Sequence, residues 1–83
     1  MLTVKILGTG CANCKRLEQI SRKTVSALDL EAEIVKVTEY PEIMAYGVMS
    51  TPGLVINEKV VSYGRIPSPA EVTTWLNEAQ KAA

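Results

Sequence analysis

Eighty-three residues and 9.0 kDa leave room for one domain, residues 1–83, and exclude a multidomain enzyme, because domains usually run ~100–200 residues. An apolar share of 47% marks a folding chain rather than a disordered one, although a chain this short buries only about 60–65% of its unfolded surface. Nine cationic side chains against nine anionic ones exclude a polyanion binder, nucleic acid included, since phosphate contacts demand surplus cations.

The charge is unevenly spread. Residues 1–28 hold five cations (Lys5, Lys15, Arg16, Arg22, Lys23) and one carboxylate (Glu18), so this third is positive and the remainder equally negative. Both cysteines, Cys11 and Cys14, lie in the positive part. No stretch approaches the ~18 consecutive apolar residues of a membrane span, and residues 1–7 are too short and too interrupted by Thr3 and Lys5 for a secretory signal. A cytoplasmic monomer with no membrane contact is therefore expected.

Residues 2–7 alternate apolar and polar up to Leu7, which predicts a strand broken by Gly8-Thr9-Gly10. From Cys11 the period changes. Cys14, Leu17, Ile20 or Ser21, Thr24 or Val25, and Leu28 recur at helical spacing, predicting an amphipathic helix that starts at or just after Cys11. Residues 33–37 form a short β-rich run, so strand, helix and strand read as a βαβ unit with a parallel pair.

A second, shorter helix follows, with Pro41 in its first turn and Gly47 as its stop. Leu54-Val55-Ile56 and Val60-Val61-Ser62-Tyr63 flank Asn57-Glu58-Lys59, the length and chemistry of an antiparallel hairpin. Ser68, Pro69 and Glu71 then combine an N-cap, a first-position proline and a capping-box acid. Val72, Trp75, Leu76 and Ala79 give the last helix one apolar face, and Trp75 is read as core. The order is β-α-β-α-β-β-α: an α/β fold with a four-stranded mixed sheet and helices on both faces.

Cys11-Ala12-Asn13-Cys14 sits at the junction of the first strand and helix, beyond the carboxyl end of a parallel strand, where chemistry in such sheets tends to lie. A three-residue step on a helix returns the fourth side chain to the first, so two sulfurs can meet at the ~2.05 Å of a disulfide without remodelling the backbone. A bridge closing so small a loop does little to staple a fold, which leaves reversible redox chemistry as its use. Cys11, at the helix mouth, faces unpaired backbone N–H groups and the positive end of the dipole, both favouring thiolate. It is the candidate nucleophile. Cys14, one turn inside on the apolar stripe, suits the resolving role. Lys15 and Arg16 add positive field. Two other readings are open: a pair of unreactive packed thiols, and a dithiol module binding a soft metal or metalloid, for which no histidine is present to complete a zinc site.

Two motifs, Gly10-Cys11-Ala12-Asn13-Cys14-Lys15 and Tyr46-Gly47-Val48-Met49-Ser50-Thr51-Pro52, together with the element order, resemble the thioredoxin/glutaredoxin superfamily, most closely its small thioredoxin-like redox-active disulfide proteins. The resemblance implies a thioredoxin-like fold and a thiol–disulfide oxidoreductase with catalytic Cys11 and Cys14 and no cofactor. It implies disulfide-containing client proteins as partners, and a reductase or low-molecular-weight thiol as electron donor; a glutathione-dependent activity is a variant. It makes Pro52 the cis-proline facing the cysteines, Thr51 its substrate-binding neighbour and Gly64 a glycine that keeps the groove open. Two departures stand out. Gly10 and Ala12-Asn13 replace the tryptophan and Gly-Pro of thioredoxins, and Lys5 occupies the place of a buried acid six residues before the first cysteine. A buried lysine is costly unless its ammonium reaches water, so Lys5 is expected to snorkel at a sheet edge.

Overall fold

The alternation of residues 2–7 becomes strand β1 (Leu2–Leu7), in which Leu2, Val4 and Ile6 face one side of the sheet and Leu7 the other. The computed structural model describes residues 2–10 and 12–82; Cys11 lies outside the described residues. After β1 come α1 (Ala12–Ala27), β2 (Ala32–Val37), α2 (Tyr40–Ala45), β3 (Gly53–Ile56), β4 (Lys59–Tyr63) and α3 (Pro69–Ala82). The element order is the one expected. The sheet runs β2-β1-β3-β4, with β1 parallel to β2 and antiparallel to β3, and β3 antiparallel to β4.

Each face of this mixed sheet has its own core. On one, Val4, Ile6, Leu54 and Ile56 meet Leu17 of α1 and Val72 and Leu76 of α3. On the other, Leu7, Val37 and Val55 meet Ile43 of α2 and Val48. Trp75 is half-buried against the first core, as its place in the apolar stripe of α3 predicts. Truncating any one of the fully buried leucines costs about 2–5 kcal/mol, a large share of what so small a chain has in reserve.

Helix α1 ends without a glycine. Leu30 N donates to Val25 O (3.2 Å) and Asp29 N to Ser26 O (3.1 Å), with Asp29 at φ 53°, the bond pattern of a Schellman motif. Leu30 and Val25 both pack on the first core, supplying the apolar contact that accompanies such caps. Between β3 and β4 the expected three-residue connection is shorter by one, because Lys59 joins the strand. Asn57 and Glu58 form a two-residue turn with φ of 51° and 68°, the positive values a primed hairpin turn requires. Asn57 also binds β1, its N–H donating to Thr3 O (2.8 Å) and its side-chain oxygen accepting from Thr3 N (3.0 Å). A register shift opposite Leu54 and Val55 leaves Val61 as the extra residue of a bulge on the outer strand.

The capping box of α3 forms as read: Glu71 N donates to Ser68 Oγ (3.2 Å) and Ser68 N to Glu71 Oε1 (3.1 Å). Arg65 clamps the same carboxylate with two bonds of 3.0 and 2.8 Å. The Arg65 guanidinium first, and then the Ser68 backbone, hold Glu71 below its ordinary 4.5, at about 2. A carboxylate depressed by folding adds stability that is present above the unfolded value and lost as pH falls through the folded one. Replacing Glu71 by Gln should therefore flatten the acid limb of the stability profile between pH 4.5 and about 2, as read from urea midpoints across that range. Ser21 is fully buried on α1 with no hydrogen-bond partner for its hydroxyl among the described residues. An unsatisfied buried hydroxyl carries its desolvation cost uncompensated, so Ser21→Ala should raise stability by about 1 kcal/mol, seen as a higher urea midpoint at unchanged slope.

Candidate functional site

Three segments of backbone converge where β1 stops. Gly8 extends the parallel ladder by one bond, donating to Val37 O (2.9 Å), and the chain bends through Gly10 into α1. Cys14 lies in the first turn of that helix, 5% exposed, on the apolar stripe with Leu17, Ser21 and Thr24. Its sulfur is disulfide-bonded. The shielding expected for it is present.

Gly8 is where the sequence reading fell short, since it reads there only as a strand breaker. A Cβ built on Gly8 would collide with Cys14 Sγ, would lie 3.2 Å from Cys14 Cβ, and would come within 3.9 Å of Thr51 Cβ. The glycine is thus needed for close approach of backbone to sulfur, and it places Thr51 on the same small patch. The Thr51–Pro52 peptide is cis, Thr51 is exposed and Pro52 buried. Pro52 O accepts from Gly64 N (3.0 Å), and Gly64, at φ 75°, stands so near Ser50 that a Cβ there would lie 3.2 Å from Ser50 Cβ. Cys14, Thr51, Pro52 and Gly64 therefore form one connected set. Met49, 94% exposed, precedes it on the same loop. Lys15 and Arg16 are exposed on α1.

A cavity of about 160 Å³ opens beside Cys14, with Gly8, Lys15, Glu18, Lys36 and Thr38 in its walls. Glu18 accepts from Arg22 Nε (3.0 Å) and pairs with Lys36 Nζ (3.5 Å). The Arg22 bond is the main reason its carboxyl lies below the usual range.

A family model described as a thioredoxin domain matches residues 2–77. The chain belongs to the thioredoxin family. It is 38% identical over 77 residues to a thioredoxin of Methanothermobacter thermautotrophicus, an alignment covering 93% of this chain and 100% of that one. It is 40% identical over 72 residues to a thioredoxin of Methanocaldococcus jannaschii, covering 87% and 83%. Among solved structures it is similar to the germline-specific thioredoxin Deadhead of Drosophila melanogaster, with TM-score 0.65 and 18% identity over 93% of this chain and 79% of that one. Thioredoxin 1 of Thermosipho africanus superposes with TM-score 0.61 at 20% identity over 96% of each chain. A thiol–disulfide oxidoreductase type of function follows for the family member in general terms. Among the described residues no helix is long and apolar enough to cross a membrane.

Within this thioredoxin fold the lysine in the place of the family's buried acid is tied down by side-chain partners while staying 23% exposed, so its ammonium still reaches water. β1 is an interior strand, so Lys5 does not reach a sheet edge, which corrects the expectation above. Its ammonium donates to the Tyr46 hydroxyl (2.8 Å) and pairs with Glu58, while the Tyr46 hydroxyl donates to Glu58 Oε2 (3.0 Å). These bonds raise the Lys5 pKa and lower that of Glu58, the hydrogen bond between the two being the largest cause for each. The ammonium stands 5.5 Å from the Tyr46 ring centre yet 2.8 Å from its hydroxyl oxygen, hence beyond the hydroxyl rather than over the ring face, and a cation–π attraction does not add. A groove of about 550 Å³ passes over this cluster on the α2 face.

The contact at Gly8 is directly testable. Gly8→Ala should cost about 1–3 kcal/mol, because the new methyl must displace the Cys14 sulfur or the strand end. Equilibrium urea unfolding measures this, and a variant as stable as its parent would contradict the close approach.

Proposed function

We propose that the protein is a disulfide oxidoreductase in which Cys11 is the attacking and Cys14 the resolving sulfur, with Thr51, Pro52 and Gly64 receiving an extended substrate. One observation supports this most. Cys14 is a shielded, disulfide-bonded sulfur set against Gly8, with Thr51 on the other side of that glycine's Cβ position, in a chain whose one other cysteine stands three residues earlier. Thr51 is exposed, so a client strand has access to it.

The chemistry runs in two exchanges. The Cys11 thiolate attacks a client disulfide; one client sulfur leaves as thiolate and takes a proton from solvent, and a mixed disulfide joins client to Cys11. Cys14 then loses its proton and attacks the Cys11 sulfur. The client's second sulfur leaves, and the chain is left with a Cys11–Cys14 disulfide. Two electrons have passed to the client. An external reductase or low-molecular-weight thiol restores the dithiol.

Replacing Cys14 by Ser should trap covalent adducts at Cys11, visible by mass spectrometry and released by reductant. Cys11→Ser should abolish turnover of a model protein disulfide. A wild-type dithiol that exchanges with no disulfide at all sinks the assignment.

A further inference from the structure

Helix α1 begins against its own electrostatics. Its first turn holds no acid, and Lys15 and Arg16 follow at once, although cations beside a helix N-terminus oppose the macrodipole. At roughly 3.6 residues per turn, Lys15, Arg16, Arg22 and Lys23 fall within about one third of the circumference. All four are exposed, opposite the stripe that buries Cys14, Leu17, Ser21 and Thr24. Glu18 is the only acid of the helix, and Arg22 Nη2 (2.9 Å) and Lys36 Nζ of β2 (3.5 Å) share it. Among the described residues nothing pairs with Lys15, Arg16 or Lys23. Five cations around one carboxylate leave a surplus of four on this side of the molecule, and every other acid lies from residue 29 onward.

We propose that this basic face of α1 is a docking surface for protein clients whose disulfide is flanked by carboxylates. The inference rests on the exchange reaction given above and names its substrate class. Position supports it: Lys15 and Lys36 stand in the walls of the cavity beside Cys14, so the face starts at the turn that carries this sulfur and runs away from it. From Lys15 to Lys23 it extends roughly 12 Å along the axis. An extended client covers that distance with about four residues, so the carboxylates it offers lie within about four residues of its reacting cysteine. Asp29 and Glu31 beyond the helix and Glu33 on β2 close the face with negative charge, which a short acidic segment avoids and a continuing nucleic-acid backbone does not. A helix start without acids and a set of cations without partners both go against local preference, and the compensating gain is then an interaction outside the fold.

Docking itself makes no covalent bond. In the exchange the client disulfide is reduced to two thiols while the chain's two thiols become a disulfide. The attraction acts earlier, by raising the rate at which an oriented pair forms. Because every cation on the face is exposed, the effect is screened by salt.

The test uses two synthetic peptides closed by the same disulfide loop, one flanked on both sides by glutamates and one by lysines, each mixed with the reduced full-length chain in single turnover. The ratio of the two rates is the readout, since a general change in thiol reactivity cancels in it. In low salt the glutamate peptide should react about tenfold faster, and the ratio should approach one at about 1 M salt, where the screening length falls to ~3 Å. Lys15→Gln with Arg16→Gln should remove most of the preference, Lys15→Glu with Arg16→Glu should reverse it, and Lys15→Arg should keep it. Lys59→Gln removes one charge beside the hairpin turn, at the end of the sheet away from Leu7 and Gly53, and should leave the ratio in place. Equal rates in low salt overturn the proposal, as does a preference untouched by the double substitution or by salt. So does inhibition by a micromolar single-stranded oligonucleotide at constant ionic strength, which marks the face as a nucleic-acid surface instead. A chain that exchanges with neither peptide sinks the oxidoreductase reading itself, a result distinct from equal rates.

Discussion

Backbone touches sulfur at Gly8, and that contact decides where every other part of the site has to be. The end of β1 lies against the first turn of α1 at a distance a methyl group would forbid, so strand, helix and the Ser50–Pro52 loop share one patch. The sheet order explains why this patch is stiff. β1 is flanked by β2 and β3, with α1 and α3 over one face and α2 over the other, so its carboxyl end is pinned from all sides. Dense packing of this kind leaves the Cys14 sulfur little freedom to wander, and a site on rigid elements holds its geometry better than one on a free loop.

Polar links carry the same constraint outward. The Gly64 to Pro52 bond joins the end of β4 to the loop before β3, while Tyr46, at the other end of that loop, is held by Lys5 and Glu58. Glu58 adopts a positive φ that non-glycine residues rarely take, and its carboxylate is the one the Lys5 ammonium meets. A cation in an interior strand is thereby matched by Tyr46, just after α2, and by Glu58 of the hairpin turn. The loop that presents Thr51 is consequently anchored at both ends by groups more than ten residues distant in sequence.

The two cores divide the labour. The larger, under α1 and α3, carries most of the apolar burial and seats the helix that bears Cys14. The smaller, under α2, is polar at its rim and leaves the broad groove over Lys5 and Tyr46. Outer strand β4 is interrupted by its bulge at Val61 and edge strand β2 carries Glu33 and Lys36, both devices that make a free sheet edge a poor template for pairing.

Local order was legible from the residues alone. Period-two and helical spacing placed β1, α1 and α3, the Ser68–Glu71 box placed the start of the last helix, and the two closely spaced cysteines pointed to the general thiol–disulfide type of function that belongs to the thioredoxin family, because these signals depend on neighbours a few residues apart. Other features had no local signal. α1 closes on Asp29 instead of a glycine, Asn57-Glu58 makes a shorter turn than the composition implied, and Lys5 finds partners 41 and 53 residues away. That Gly8 faces Cys14 Sγ, and that Lys36 of β2 shares a cavity with it, follow from strand order and helix placement. Those contacts are set by how the layers stack, and the stacking is decided by burial summed over the whole chain, which no short window of sequence contains.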